Sequence, residues 1–354
     1  MRIILMGTGP FAIPAFRAIH KLADSQSPDS RHQVLMVVTR PERGVRRGKR
    51  GSATQSPVRV WAQQHSLPLM DPPSINDQLA IEQLNSLNAD LMVVCDYGQI
   101  LSSQALATTR LGGINLHGSL LPAYRGASPV QSSLLAGDRR TGVSVIHMTP
   151  RLDGGPILAS AELEIRDDET AGDLEQRLSE LGVQPTLDAI RTLDTANEGN
   201  ALGIPQDASK ISRAPRLKKD DGRIDWSQTC RMVDCHVRGM QPWPIAFIDI
   251  DTGDGKPTQR VQILGVSTLV LGPSKIFRED QTVQALIEST PTGHVVTDWQ
   301  QSGKKSRLLV RCADGVMEII RVRPQGKREM TAEEYMRGRP IPPGTNLNQN
   351  NKAS

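Results

Sequence analysis

Three aliphatic runs early in the chain show no polar alternation: Arg2–Met6 (RIILM), Gln33–Thr39 (QVLMVVT) and Asp90–Cys95 (DLMVVC). A strand with one face in water alternates apolar and polar side chains, whereas a strand covered on both faces reads as a continuous, β-branched run. Helical spacing follows at Pro14–Leu22 and Ile75–Leu87, and further strand candidates stand at Gly113–Leu116, Val143–Met148 and Ile157–Glu164. Thr170–Leu193 is helical in period, with Thr170 as an N-cap, and Gly182 and Pro185 are expected to break it in two. This alternation predicts an α/β fold, a doubly wound and mostly parallel sheet with helices on both faces. Ligands on such sheets bind beyond the carboxyl ends of the strands.

The character changes past Leu193. Asp194–Arg216 is polar and turn-rich, and short strand candidates then follow at Ile245–Ile250, Val261–Val270, Gly293–Thr297, Arg307–Arg311 and Met317–Val322, behind one helix around Ser227–Val237. Short strands at such spacing suggest a small β-barrel. The expected division is a catalytic domain at 1–196, a linker at 197–216, a second domain at 217–344 and a flexible tail at 345–354, the Pro- and Asn-rich stretch after Gly338 being expected to fray.

Composition excludes several classes. Apolar residues are 38% and charged residues 23%, both ordinary for globular domains. No apolar run approaches the roughly 18 residues a membrane span needs, and the short start Met1–Met6 reads as a first strand rather than a leader. Four scattered cysteines, Cys95, Cys230, Cys235 and Cys312, are too few for a disulfide framework, and Cys230, Cys235 and His236 lack a fourth ligand at zinc spacing. A reducing cytoplasm is the expected setting. The net charge of +4 is uneven: residues 207–354 carry 23 Lys+Arg against 17 Asp+Glu, a weak pointer to a polyanionic partner.

Three segments carry candidate chemistry. Gly7-Thr8-Gly9-Pro10-Phe11-Ala12 fits a dinucleotide fingerprint in outline, but Pro10 and Pro14 remove N–H donors where a pyrophosphate needs them. A plain glycine turn is the preferred reading. The second segment runs from Ile114 to Gln131. Within a strand, Asn115 and His117 project to the same face. An amide can donate to a carbonyl oxygen gaining charge, and an imidazole can carry a proton near neutral pH. Asp153, on the turn Leu152-Asp153-Gly154-Gly155, could reach that imidazole. Together Asn115, His117 and Asp153 suit acyl transfer to an amine. The third segment, 40–50, holds six basic residues interleaved with Gly44 and Gly48, a composition suited to ordering on a phosphate backbone.

The segment 114–158 resembles the folate-dependent formyltransferases: HGSLLPAYRGASPVQ at 117–131, LAGD at Leu135–Asp138, TGVSV at Thr141–Val145, and Asp153. Arg40–Lys49, Asp96-Tyr97-Gly98, Gly222–Trp226, Gln241-Pro242-Trp243-Pro244 and Gly326–Met330 extend the likeness to nearly the whole chain. The second-domain motifs are similar to those of family members acting on charged tRNA. Three places depart from the family pattern: the usual G-T-P-x-F turn reads Gly7-Thr8-Gly9-Pro10-Phe11, Asp96 stands where a small residue is common, and Gln241 replaces a usual Asn before Pro-Trp-Pro.

The resemblance implies a formyltransferase-like first domain and an OB-type barrel after it. It implies transfer of the formyl group of 10-formyltetrahydrofolate to the amino group of initiator methionyl-tRNA, with no metal and no nicotinamide. By matching motif, the folate co-substrate is expected against Ser119, Leu120, Leu121, Pro122, Cys95, Tyr97 and Gly98. The tRNA is expected on Arg43, Arg46, Arg47 and Lys49, with Arg47 matching the arginine before Gly-Lys. The enzyme is expected to be a monomer without membrane contact. The alternative acceptor is a sugar-nucleotide amine or water. A nucleotide-dependent oxidoreductase and a non-catalytic RNA-binding module are the readings from other classes.

Overall fold

The computed structural model describes residues 1–24, 32–42, 55–195, 203–250, 258–269, 289–296 and 307–348. The chain divides into two units: Met1–Val130, Arg140–Ile165 and Asp173–Pro215 form the first, and Gln131–Arg139, Arg166–Gly172 and Arg216–Ser354 the second.

In the first unit β1 (Arg2–Gly7) leads through a short turn into α1 (Ile13–Asp24), and β2 (Gln33–Val38) follows. Next come α2 (Pro57–Gln64), β3 (Leu69–Met70), α3 (Gln78–Ser86), β4 (Leu91–Cys95), α4 (Ser103–Leu106), β5 (Gly113–His117) and β6 (Arg125–Gly126). The chain continues through α5 (Pro129–Leu135), most of which belongs to the second unit, to β7 (Arg140–His147), β8 (Ile157–Glu164), α6 (Ala171–Leu181), α7 (Val183–Thr195) and β9 (Arg213–Ala214). The sheet order is β3-β2-β1-β4-β5-β7-β8. It is parallel from β3 to β5, while β7 runs antiparallel to both β5 and β8. The mostly parallel sheet read from the sequence is therefore present, with an antiparallel margin on one side.

The continuous apolar runs have the expected cause. Ile3, Ile4, Leu5 and Met6 alternate between the two faces of β1, and all four are at 0% exposure, so both faces are covered. On one face Ile4, Met6, Met92 and Val94 pack with Ile75, Leu84, Ala105 and Leu106 from the α3 and α4 region. Elsewhere α1 and α7 pack against each other, on β2 and on β7 and β8. Ser56 and Ser102 cap α2 and α4 by accepting the Arg59 and Ala105 amides. The Thr170–Leu193 helix breaks at Gly182, but Pro185 is not a breaker: it sits in the first turn of α7, where a missing N–H costs nothing. A β-carbon on Gly182 would stand 2.7 Å from the Leu116 side chain, so the break sits against a residue of β5.

The second unit holds α8 (Cys230–Gly239), β10 (Phe247–Ile250), β11 (Gln259–Leu269), β12 (Leu308–Arg311), β13 (Val316–Pro324), β14 (Met330–Thr331) and a last helix, Ala332–Gly338. The strands form an antiparallel sheet in the order β10-β11-β13-β12, with β14 paired to β13. Its core gathers on Trp226, at 0% exposure, with Val233, Val237, Ile248, Ile263, Met317 and Ile319. The candidate strand Gly293–Thr297 is present only as single bridges at His294 and Val295 within the described residues. The stretch after Gly338 does not fray as far as it is described. Ile341 and Leu347 enter the core, and the Leu347 N–H donates to the Gly293 carbonyl at 2.7 Å. Burying two aliphatic side chains outweighs the Pro- and Asn-rich composition around them. Among the described residues no helix is long and apolar enough to cross a membrane.

Candidate active site

The carboxyl ends of β1, β4 and β5 lie side by side, because β1 pairs with β4 and β4 with β5 in parallel. Asn115 and His117 stand near the end of β5, where the antiparallel partner β7 places Ile146 and Ser144 opposite them. The period of two puts both side chains on one face. His117 is 5% exposed, and one ring nitrogen, Nε2, lies 2.9 Å from the Tyr124 carbonyl oxygen. A carbonyl can only accept, so this bond leaves Nε2 as the donor and turns Nδ1 the other way. Nδ1 faces the Asp153 carboxylate, with Oδ2 at 3.8 Å. An imidazolium here would have both N–H groups pointing at oxygens. Among the described residues the Asn115 amide has no hydrogen-bond partner, which leaves its donors open.

Asp153 is held from two directions. Its Oδ2 accepts the Gly126 N–H at 2.9 Å, and its backbone has φ +49°, a left-handed conformation that costs a residue other than glycine roughly 1–2 kcal/mol. The turn needs glycine beside it. A β-carbon on Gly155 would stand 1.7 Å from the His147 carbonyl, so the chain can pass there only as glycine. Gly126 is under the same constraint, with φ +131° and the Ala214 carbonyl 2.3 Å from where its β-carbon would be.

The loop after His117 is braced by a serine. Ser144, at 1% exposure on β7, donates its hydroxyl to the Ser119 carbonyl at 2.9 Å and accepts the Leu121 N–H at 3.0 Å. Ser119 is fully buried and donates to the Ala123 carbonyl at 2.6 Å, closing the turn; Leu121 is buried and Leu120 and Pro122 are half-buried. On the β4 side, Cys95 is sealed and burial pushes its thiol up. Tyr97 is 2% exposed, and burial raises its phenol against the opposing Arg40 charge. Its carbonyl accepts the Thr8 hydroxyl at 3.0 Å, tying β1 to the turn after β4. Gly98, with φ +77°, lies under Arg40, whose Nη1 is 3.2 Å from where a β-carbon would be.

The structure thus brings Asn115, His117 and Asp153 together at the end of β5, and places Ser119–Pro122 beside them. Arg43, Arg46, Arg47 and Lys49 lie outside the described residues. Sequence reasoning missed the Tyr124 carbonyl and the Gly126 amide, because backbone partners leave no mark on residue identity. It also passed over Ser144, for which a signal existed: a serine facing inward on an otherwise aliphatic buried strand must find hydrogen-bond partners. All four cysteines are buried free thiols, and among the described residues no group of three or more His, Cys, Asp or Glu side chains could hold a metal ion.

Comparison with known proteins narrows the chemistry. The formyl transferase family model matches residues 1–190, and the formyl transferase C-terminal domain model matches residues 216–340. A methionyl-tRNA formyltransferase from Rhodopirellula baltica is 50% identical, covering 98% of this chain and 96% of its own. One from Methylacidiphilum infernorum is 34% identical, covering 99% and 98%. Among solved structures, the sugar 3N-formyl transferase WlaRD has a TM-score of 0.57 at 13% identity, covering 93% of this chain and 99% of that one. HypX from Aquifex aeolicus, solved with tetrahydrofolic acid, has a TM-score of 0.53 at 13% identity over 95% of this chain; the chain spans 47% of its length. These structural likenesses bear on fold alone, and the sequence matches span both units. The chain belongs to the formyl transferase family.

Proposed function

We propose that this chain transfers the formyl group of 10-formyltetrahydrofolate to the free α-amino group of initiator methionyl-tRNA. The observation that carries the reading is His117, set between the Tyr124 carbonyl and the Asp153 carboxylate beside the open amide of Asn115. Full-length similarity to proteins named methionyl-tRNA formyltransferase supports the choice of acceptor.

In this reading the free amine attacks the formyl carbon. The Asn115 amide, near the end of β5, donates to the oxygen that gains negative charge, and its donors need no rearrangement because nothing else among the described residues holds them. His117 carries the proton to be delivered or taken as the carbon–nitrogen bond to the donor breaks. Asp153 faces the imidazole, its Oδ2 3.8 Å from Nδ1, and sets the orientation of the ring. Ser119, Leu120, Leu121 and Pro122 form one wall for the folate, and the Cys95–Gly98 turn forms the other, with Tyr97 and Gly98 nearest the arginine of β2's end.

The stretch up to Pro215, expected as a linker, counts with the catalytic unit, and the second unit is read as an OB-type domain over 217–344. Its antiparallel sheet and the register shifts at Gly265 support that reading, since bulges are how a small sheet bends toward closure. Arg43, Arg46, Arg47 and Lys49 supply the phosphate contacts to tRNA, and the enzyme works as a cytoplasmic monomer.

The test is incubation with formyl donor and each of three acceptors: methionyl-tRNA, an amino-sugar nucleotide and water. Mass detection of formyl-methionine released from tRNA supports the proposal. Product only from the sugar nucleotide, or donor hydrolysis alone, refutes it.

A further inference from the structure

The segment 203–214 reads as a connector in the sequence, polar and rich in small residues, yet it is built into the candidate site. β9 lies parallel to β6. Ser212 accepts the Tyr124 N–H on its hydroxyl at 2.8 Å and the Arg125 N–H on its carbonyl at 2.9 Å. The backbone groups that hold His117 and Asp153 are therefore mounted on this segment.

Gln206, half-buried between the exposed Pro205 and Asp207, reaches the same place from further upstream. Its amide nitrogen donates to the Asp153 carbonyl at 2.8 Å and to the Gly155 carbonyl at 2.7 Å. Its amide oxygen accepts from Arg125, Nε at 3.0 Å and Nη2 at 2.6 Å. Carbonyls can only accept and a guanidinium can only donate, so the network fixes which way the amide points. Apart from that grip, the turn is held by the Gly126 N–H on Asp153 Oδ2 at 2.9 Å and by the Thr149 hydroxyl on the Arg151 carbonyl at 3.4 Å. One backbone bond closes it, Gly154 N–H to the Arg151 carbonyl at 3.1 Å, and Arg151 and Leu152 are exposed.

We infer that Gln206 is a positioning residue for the transfer reaction: it holds the turn that carries Asp153 in its left-handed conformation and so sets the carboxylate against His117. The inference rests on the functional reading above for its consequence, though the grip itself does not. A glutamate at this position would keep the size and the Arg125 contact but offer no donor to the two carbonyls. Misplacing a working group by about 1 Å costs as much as a hundredfold in rate.

The test uses the full chain carrying Gln206→Glu or Gln206→Ala, each alone and combined with Asp153→Asn. Single-turnover formylation and amide hydrogen exchange at Gly126 and Gly154 are measured together. Both single variants are expected to lose about tenfold or more in rate, with the KM for formyl donor changed by less than about twofold. Exchange at Gly126 and Gly154 should quicken. In the Asp153→Asn background the Gln206 changes should add almost nothing, because groups acting as a unit are not additive. Toward acid pH the Gln206→Glu deficit should narrow, since a protonated carboxyl regains one donor. Wild-type rate and protection in Gln206→Glu overturns the inference, as do losses that multiply with Asp153→Asn. If wild type formylates nothing while exchange still quickens in the variants, the functional reading fails and the grip on the turn stands.

Discussion

The Asp96 carboxylate occupies the space that a β-carbon on Gly9 would need. Oδ2 is 1.8 Å from that position, and the carboxylate accepts the Gly9 N–H. Gly9 has φ −85°, so the backbone itself would admit other residues; it is the carboxylate that demands glycine. Both positions stand out in the sequence, and the structure joins them.

Gly9→Ala is therefore expected to destabilise the fold by about 1 kcal/mol or more, as overpacking does, and to displace Asp96. Adding Asp96→Ala should recover most of the loss. Urea unfolding of the three chains checks the coupling, and independent losses would show that the two residues do not share the space.

Burial pushes the Asp96 carboxyl above the usual carboxylate range, opposed by the Gly9 hydrogen bond, and burial together with the Asp96 charge pushes Glu175 on α6 up as well. A carboxyl whose folded value is raised binds more protons folded than unfolded between the two values, so its contribution to stability falls as pH rises through that window. Asp96→Asn can still accept the Gly9 N–H and carries no charge. It should unfold at a higher temperature than wild type near pH 7, with the advantage shrinking as the pH falls toward about 4. An advantage that grows toward acid would reverse the sign of this argument.

The sheet was legible because burial on both faces strips polar residues from β1 and β4, and that leaves a mark on composition. The reversal at β7 was not, since a strand's direction depends on how its connection returns. Asn115, His117 and Asp153 were legible as residue types suited to acyl transfer, and the structure gathers them at the end of β5. Their supports were only partly legible. Tyr124 and Gly126 act through backbone atoms, and Gln206 lies 53 positions from the turn it grips, in a stretch whose composition reads as a connector. The Gly9–Asp96 coupling could be seen as two oddities in sequence, but joining them required the parallel pairing of β1 with β4.

Ser144→Ala removes both bonds that brace the loop after His117, leaving the Ser119 carbonyl and Leu121 N–H without their partner. The loss of a buried hydrogen bond costs about 1–2 kcal/mol. If that loop is the folate wall, the KM for formyl donor should rise about tenfold while tRNA binding holds. Steady-state kinetics against each substrate separates this from a general loss of stability.

If the basic segment 40–50 holds tRNA as proposed, its affinity should come from phosphates, each contact releasing counterions. Arg47→Ala should weaken use of methionyl-tRNA and flatten the salt dependence of binding, leaving folate affinity nearly unchanged. Arg47→Lys should recover only part, because a guanidinium grips phosphate in two places. Wild-type binding by Arg47→Ala at low and high salt would make the segment a bystander.

The most direct measurement is single-turnover formylation of methionyl-tRNA by wild type, Asn115→Ala, His117→Ala and Asp153→Ala, each shown to be folded and to bind formyl donor. Removing a group that stabilises the transition state should slow each variant by about a hundredfold or more. A folded His117→Ala chain that formylates methionyl-tRNA at nearly the wild-type rate would contradict the account.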